Sequence, residues 1–153
     1  MDATRFTPIH NLDEAECIER LQAVDVGRLA IAIMNVPDIF PINFVVDGKA
    51  IVFRTEEGTK FAAAVLGKAV AFEVDGYDAT AGIAWSVVLK GEAIEIEKME
   101  ELFHAEDLPL FPWHAGPKLR WVRIVPDEIT GREFHVDPTA IAHARGPVAS
   151  QLL

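Results

Sequence analysis

Arg54, Thr55, Thr59 and Lys60 place two cations and two hydroxyls within the seven residues RTEEGTK. Such a set suits an oxyanion, and a phosphate is the expected guest. Gly58 permits a tight turn between the apolar strand before it and a helix that opens after it. Backbone N–H groups at a helix start are unpaired and point outward, so that end attracts anions. Taken by themselves, residues 51–60 also suit a polar strand-to-helix turn with surface charges and no ligand.

No other set in the chain promises chemistry by itself. The five histidines, His10, His104, His114, His135 and His143, form no H-x-x-x-H or H-E-x-x-H pair, and no carboxylates stand at metal spacing, so no metal is expected. Ser86 lies in a strand without a nucleophile elbow. Cys17, the only cysteine, lies in a helical pattern with no His and acid partner beside it, and reads as a small buried residue. No dinucleotide or P-loop glycine pattern is present. No residue is therefore assigned as catalytic acid, base or nucleophile, and any reaction is expected to be carried by a cofactor.

Composition narrows the partners. The formal net charge is −10, which disfavours nucleic acid and anionic membranes. Half the residues are hydrophobic and the mean hydropathy is +0.19. The longest aliphatic run, residues 29–34, is far too short to cross a bilayer. That much apolar surface in a chain without a membrane span points to a subunit interface. The start MDATRFTPIH has no basic region followed by an apolar stretch, and one cysteine suits a reducing cytoplasm.

The elements that must position the phosphate group can be read in order. Asn11 or Asp13 caps a helix with Leu12, Ala15, Ile18 and Leu21 at helical spacing, ending before Gly27. Strands follow at 27–34 and 39–46, with a turn at 35–38. Pro41 inside the second strand cannot donate to a ladder, so it marks an edge, a bulge or a ligand in place of a neighbour strand. Asp47-Gly48 makes a hairpin to a third strand, 50–55, and a short helix spans 59–66 before Gly67. Strands at 69–75 and 84–97 come next, separated by a polar loop at 76–82, with Gly91 as a bulge or bend. A helix at 98–105, a Pro-rich loop at 106–118, strands at 119–125 and 129–136, and a weakly patterned tail from Pro138 complete the chain. Six or seven strands linked mostly by hairpins make a mainly β fold, a small antiparallel barrel with helical decorations, in a single domain over residues 1–153.

The order VGRLAIA, PINFVVDGKAIVFRTEEGTKFAAA, VAFEVD and WSVVLKGEA resembles the pyridoxamine 5′-phosphate oxidase-like family of FMN-binding split β-barrels, most of all its small actinobacterial-type branch, over residues 12–132. The resemblance implies a six-stranded split barrel, a homodimer, and FMN in a cleft between the subunits, with a deazaflavin coenzyme as the alternative. It implies that Pro41, Ile42, Asn43 and Phe44 contact the flavin ring, largely through backbone. It implies that Arg54, Thr55, Thr59 and Lys60 hold the phosphate and ribityl chain, and that Trp85 and Ser86 face the cofactor from the other subunit. Trp85 also suits an interface anchor without cofactor contact. The expected activity is an FMN-dependent oxidoreductase exchanging electrons with a small molecule. The alternative is a flavin or deazaflavin carrier or sensor without turnover. Vitamin B6 oxidation is not implied: the GREFH stretch, with Arg132 and His135, has surroundings unlike the substrate-holding segment of the true oxidases, and the chain ends ARGPVASQLL.

Overall fold

Asp13 starts the first helix. Its carboxylate accepts from the Glu16 N–H at 2.9 Å, and the Glu16 carboxylate accepts from the Asp13 N–H at 3.2 Å. That reciprocal capping box fixes α1 at Glu14–Gln22 and decides between the two expected caps. Cys17 and Leu21 form its buried stripe. The computed structural model of the chain describes residues 8–55, 60–110 and 120–137.

The remaining elements are β1 (His10–Leu12), β2 (Val26–Ile33), β3 (Val36–Asn43), β4 (Val45–Asp47), β5 (Ala50–Thr55), α2 (Lys60–Val65), β6 (Ala69–Asp78), β7 (Ile83–Glu95), α3 (Met99–Glu106) and β8 (Arg120–His135). All strand pairs are antiparallel, in the order β3-β2-β6-β7-β8-β5-β4, with β1 paired to β8. The sheet is curled into a half-barrel, as expected of a split barrel.

The curl has a local cause. β3 and β4 stand at the two ends of the sheet, yet only Phe44 separates them in the chain. The expected single strand at 39–46 is therefore two strands bent at Phe44. The Phe44 N–H donates to the Asp25 carbonyl at 3.2 Å, and its ring meets Phe72 edge-on at 4.8 Å. Burying that ring in the barrel turns the chain from one sheet edge to the other.

Leu29, Ile51, Phe53, Phe72, Val74, Val87, Leu89, Val122 and Ile124 point inward and build the main core, with Leu21 of α1 over it. Each such side chain contributes roughly 1.5–3 kcal/mol through burial. Outside the barrel, Val52, Ile96 and Trp121 pack under Ala105 and Leu102 of α3 in a second cluster.

Three strand boundaries differ from the sequence reading. The first hairpin turns at Met34 and Asn35, both with positive φ, so Val36, Pro37 and Asp38 belong to β3. A two-residue turn of that hand matches strand twist, and an edge strand tolerates Pro37. β6 continues through Asp78, so the expected loop at 76–82 shrinks to the turn before Ile83. β8 runs unbroken where two strands were expected. Its ladder with β7 shifts register between Lys90 and Gly91, with Asp127 of β8 as the extra residue opposite the irregularity expected at Gly91. The expected loop beyond residue 110 and the tail from Pro138 lie outside the described residues.

Candidate functional site

β3 is an edge strand: β2 lies on one side and no described strand on the other. Pro41 pairs in register with Arg28 and is exposed, so its missing donor costs no ladder bond on the open side. Ile42 packs half-buried against the core, Asn43 is half-buried, and Phe44 is 4% exposed. What this stretch offers a ligand is the Pro41 ring and open backbone, not the Phe44 ring.

β5 ends with Arg54 and Thr55, whose side chains alternate between faces. Arg54 is exposed on the outer face, its guanidinium 4.8 Å from the centroid of the Trp121 ring. Thr55 is 6% exposed and belongs to the inner face. The two cannot present their side chains side by side to one phosphate. Thr59 lies outside the described residues, and Lys60 opens α2. Phe61, one residue on, ties the parts together. Its ring stands 4.8 Å from Phe40 of β3 at 71° and 6.4 Å from Phe53 of β5. The edge strand, the end of β5 and the start of α2 thus converge on one aromatic cluster.

Trp85 and Ser86 part company. Trp85 faces inward, packing against the core and against Gly76, its cross-strand partner, where an added Cβ would come within 2.5 Å of the indole. The Arg20 guanidinium lies 5.5 Å from the indole centroid and also pairs with Glu133. Ser86 faces outward into a cleft of about 310 Å³, with Asn11, Val88, Thr130, Gly131 and Arg132. Strand alternation likewise sends Arg132 and His135 to opposite faces, so they form no common clamp.

Two charged clusters escaped the sequence reading. On the outer face, Arg28 of β2 reaches Glu73 at 3.4 Å and Asp75 at 3.2 Å, both on β6. Burial, and then the Asp75 carboxyl, push the Glu73 carboxyl up to about 7, against the pull of Arg28. The acid-x-acid spacing in FEVD was visible in the sequence; the arginine partner, four strands earlier in the chain, was not. On the other side Asp47 bridges His104 at 3.0 Å and Arg123 at 2.8 Å. Those two partners, the His104 hydrogen bond first, hold its carboxyl below the usual range. Burial raises the Cys17 thiol, which keeps it protonated and inert.

Among the described residues no group of three or more His, Cys, Asp or Glu could hold a metal, and no helix is long and apolar enough to cross a membrane.

The family model for pyridoxamine 5′-phosphate oxidase matches residues 13–133. A protein of Mycobacterium tuberculosis is 42% identical over 93 residues, covering 61% of this chain and 83% of that one. The solved structure of an FAD-binding protein from Mycobacterium smegmatis superposes with a TM-score of 0.74 at 38% identity, over 82% of this chain and 98% of that one. A structure from Corynebacterium glutamicum, provisionally assigned as a pyridoxamine 5′-phosphate oxidase, gives 0.77 at 44% identity, over 90% and 98%.

Proposed function

The chain belongs to the pyridoxamine 5′-phosphate oxidase family, and from that premise we propose that it is a flavin-binding oxidoreductase acting as a homodimer. The observation that carries the reading is the convergence of β3, β5 and α2 on Phe61. In this reading the open edge at Pro41 and the Arg54 end of β5 form one wall over that cluster, and the M. smegmatis neighbour that binds FAD supports a flavin as the guest. Arg54 binds the phosphate next to the ribityl chain, together with Thr59 and Lys60. The backbone of Pro41, Ile42 and Asn43 orients the ring, and Phe44 holds that backbone in place from behind. Thr55 shapes the wall from within the barrel.

The donor set fits this group. An exposed arginine suits a phosphate, and an edge strand supplies free backbone for a polar ring. When bound, the flavin supplies the hydride or electron transfer, and the chain's residues bind, orient and shield it. FMN and FAD share the ring, the ribityl chain and the first phosphate, so the wall serves either. We assign FMN, with FAD and a deazaflavin as the competing ligands in the test. Exposed Val36 and Ile39 on β3 suit a partner subunit.

The experiment is a fluorescence titration of the purified chain with FMN, FAD and a deazaflavin, with mass spectrometry of any co-purified small molecule. Saturable binding with FMN tightest is expected, and Lys60→Ala weakens it much more than Lys98→Ala. A colourless protein that none of the three saturates overturns the reading.

A second reading rests on the lack of an acid–base set among the described residues: a flavin or deazaflavin carrier or sensor without turnover. Stopped-flow reduction by a nicotinamide donor separates the two. Repeated turnover with an acceptor excludes the carrier.

A further inference from the structure

The open edge of β3 has the features that attract another strand. The strand has eight residues, and its hairpin with β2 is apolar and solvent-facing. Ile33, Met34, Val36 and Ile39 are all exposed, Met34 at 94%. Between Arg28 and Asp47 the only charged residue is Asp38. An apolar strand with open backbone along one side is a template for a strand of a second copy. The opposite end of the sheet, β4, has only three residues and offers much less to pair with.

The hairpin decides which backbone groups of β3 face outward. Its turn is Met34 and Asn35, so Ile33 and Val36 form the closing hydrogen-bonded pair. Alternation then turns the N–H and C=O groups of Val36, Asp38, Phe40 and Ile42 toward β2, and those of Pro37, Ile39 and Pro41 to the open side. Two of these three are prolines and have no N–H. The third N–H, that of Ile39, donates to the Asp38 carboxylate at 3.0 Å. From Val36 to Ile42 the open side therefore presents three carbonyls and no available donor. Either proline moved by one position would have removed a bond from the β2 ladder instead. A strand added here would set its own carbonyls against two proline rings and one N–H already engaged, and those carbonyls would lose their bonds.

We propose that Pro37, Asp38 and Pro41 together close the β3 edge to a strand of a second copy. Subunits then associate through side chains, and not by joining two β3 edges into one continuous sheet. The closure is a property of the chain's own backbone and does not rest on the flavin reading.

Two measurements on the full chain test it. The first is amide hydrogen exchange at Ile39, read by NMR. In wild type the rate should not change with chain concentration. Asp38→Ala should speed it severalfold, whereas Asp38→Asn, which keeps an oxygen to accept the N–H, should stay closer to wild type. The second is sedimentation of the triple variant Pro37→Thr, Asp38→Thr, Pro41→Thr, which restores all three outward donors on strand-favouring residues. All three positions are exposed, so the variant should fold, and circular dichroism checks that it does. Its weight-average mass should at least double relative to wild type at the same concentration, with new intermolecular sheet in the infrared amide band. Three results would overturn the proposal: a folded triple variant that sediments as wild type does, an Ile39 amide in wild type that gains protection as concentration rises, or exchange in Asp38→Ala as slow as in wild type. Neither readout involves flavin, so each of these leaves the flavin reading standing.

Discussion

Asn43 and Val45 are two residues apart in the chain and belong to opposite ends of the sheet. Asn43 pairs with Val26 on one side, and Val45 pairs with Val52 on the other. Phe44 between them is the corner that closes the curl, and its burial against Phe72 keeps the backbone of Pro41 to Asn43 in place. Phe44→Ala should therefore cost stability and ligand binding together. A loss of about 3–5 kcal/mol is expected from the cavity, read in urea unfolding. Phe44→Leu should keep much of the stability. A Phe44→Ala chain as stable as wild type would show that the corner holds without the ring.

Arg54 offers a cleaner separation of binding from folding. Its side chain is exposed and rests on Trp121. A charge-assisted hydrogen bond to phosphate is worth about 1.5–3 kcal/mol, so Arg54→Ala should weaken flavin binding by about one to two orders of magnitude. Stability should change by no more than about 0.5 kcal/mol, as for other surface changes. Trp121→Phe removes part of the stacking platform and should give a smaller loss of affinity. Unchanged flavin affinity in Arg54→Ala would remove it from the site.

Local signals were the legible part of this fold. The Asp13 cap, the Asp47-Gly48 hairpin, the Gly91 bulge and Pro41 at an edge each follow from one residue type and its neighbours. Gly91 shows how strict such a signal is: a Cβ there would lie 2.0 Å from the Val125 carbonyl oxygen. What was not legible depends on partners far away in the chain. β8 was expected as two strands, 119–125 and 129–136, yet an unbroken β7 beside it carries Arg120–His135 as one. β1 has only three residues and exists because β8 extends past it. Phe44 looks like any strand residue until Phe72 is placed against it. In the candidate site, the residue types at 41–44 and 54–60 were readable, but alternation sends Thr55 away from Arg54 and Trp85 away from Ser86. The Arg28, Glu73 and Asp75 cluster needs two strands brought into register, which no spacing along the chain reveals.

The Asp47 bridge should make the packing of α3 sensitive to acid. His104 first, and then Arg123, depress the Asp47 carboxyl. A depressed carboxyl stabilises the fold fully above its unfolded value, near 4, and that contribution disappears as pH falls through the folded value. Asp47→Asn should cost about 1 kcal/mol at neutral pH and should flatten the acid limb of the stability curve below about pH 4. Thermal melts from pH 2.5 to 7 test this. Parallel curves for the variant and wild type would remove Asp47 as the source.

Glu73 should act in the opposite sense. Its carboxyl is raised from 4.5 to about 7, chiefly by burial and then by Asp75, and Arg28 only partly offsets this. Its Oε1 is buried with no hydrogen-bond partner among the described residues. Between these two values the folded chain holds more protons than the unfolded chain, so stability falls as pH rises from about 4.5 to about 7. The side chain is 30% exposed, which reduces the effect to about 1–2 kcal/mol. Glu73→Gln keeps the shape and removes the titration. It should match wild type near pH 4.5, exceed it in stability above pH 7, and show a flatter curve between them. Arg28→Gln should steepen the wild-type fall, because both carboxylates then lose their counter-charge. Wild-type stability that rises over this interval, with Glu73→Gln following it, would mean that the acidic pair is fully ionised at neutral pH and held by Arg28 alone.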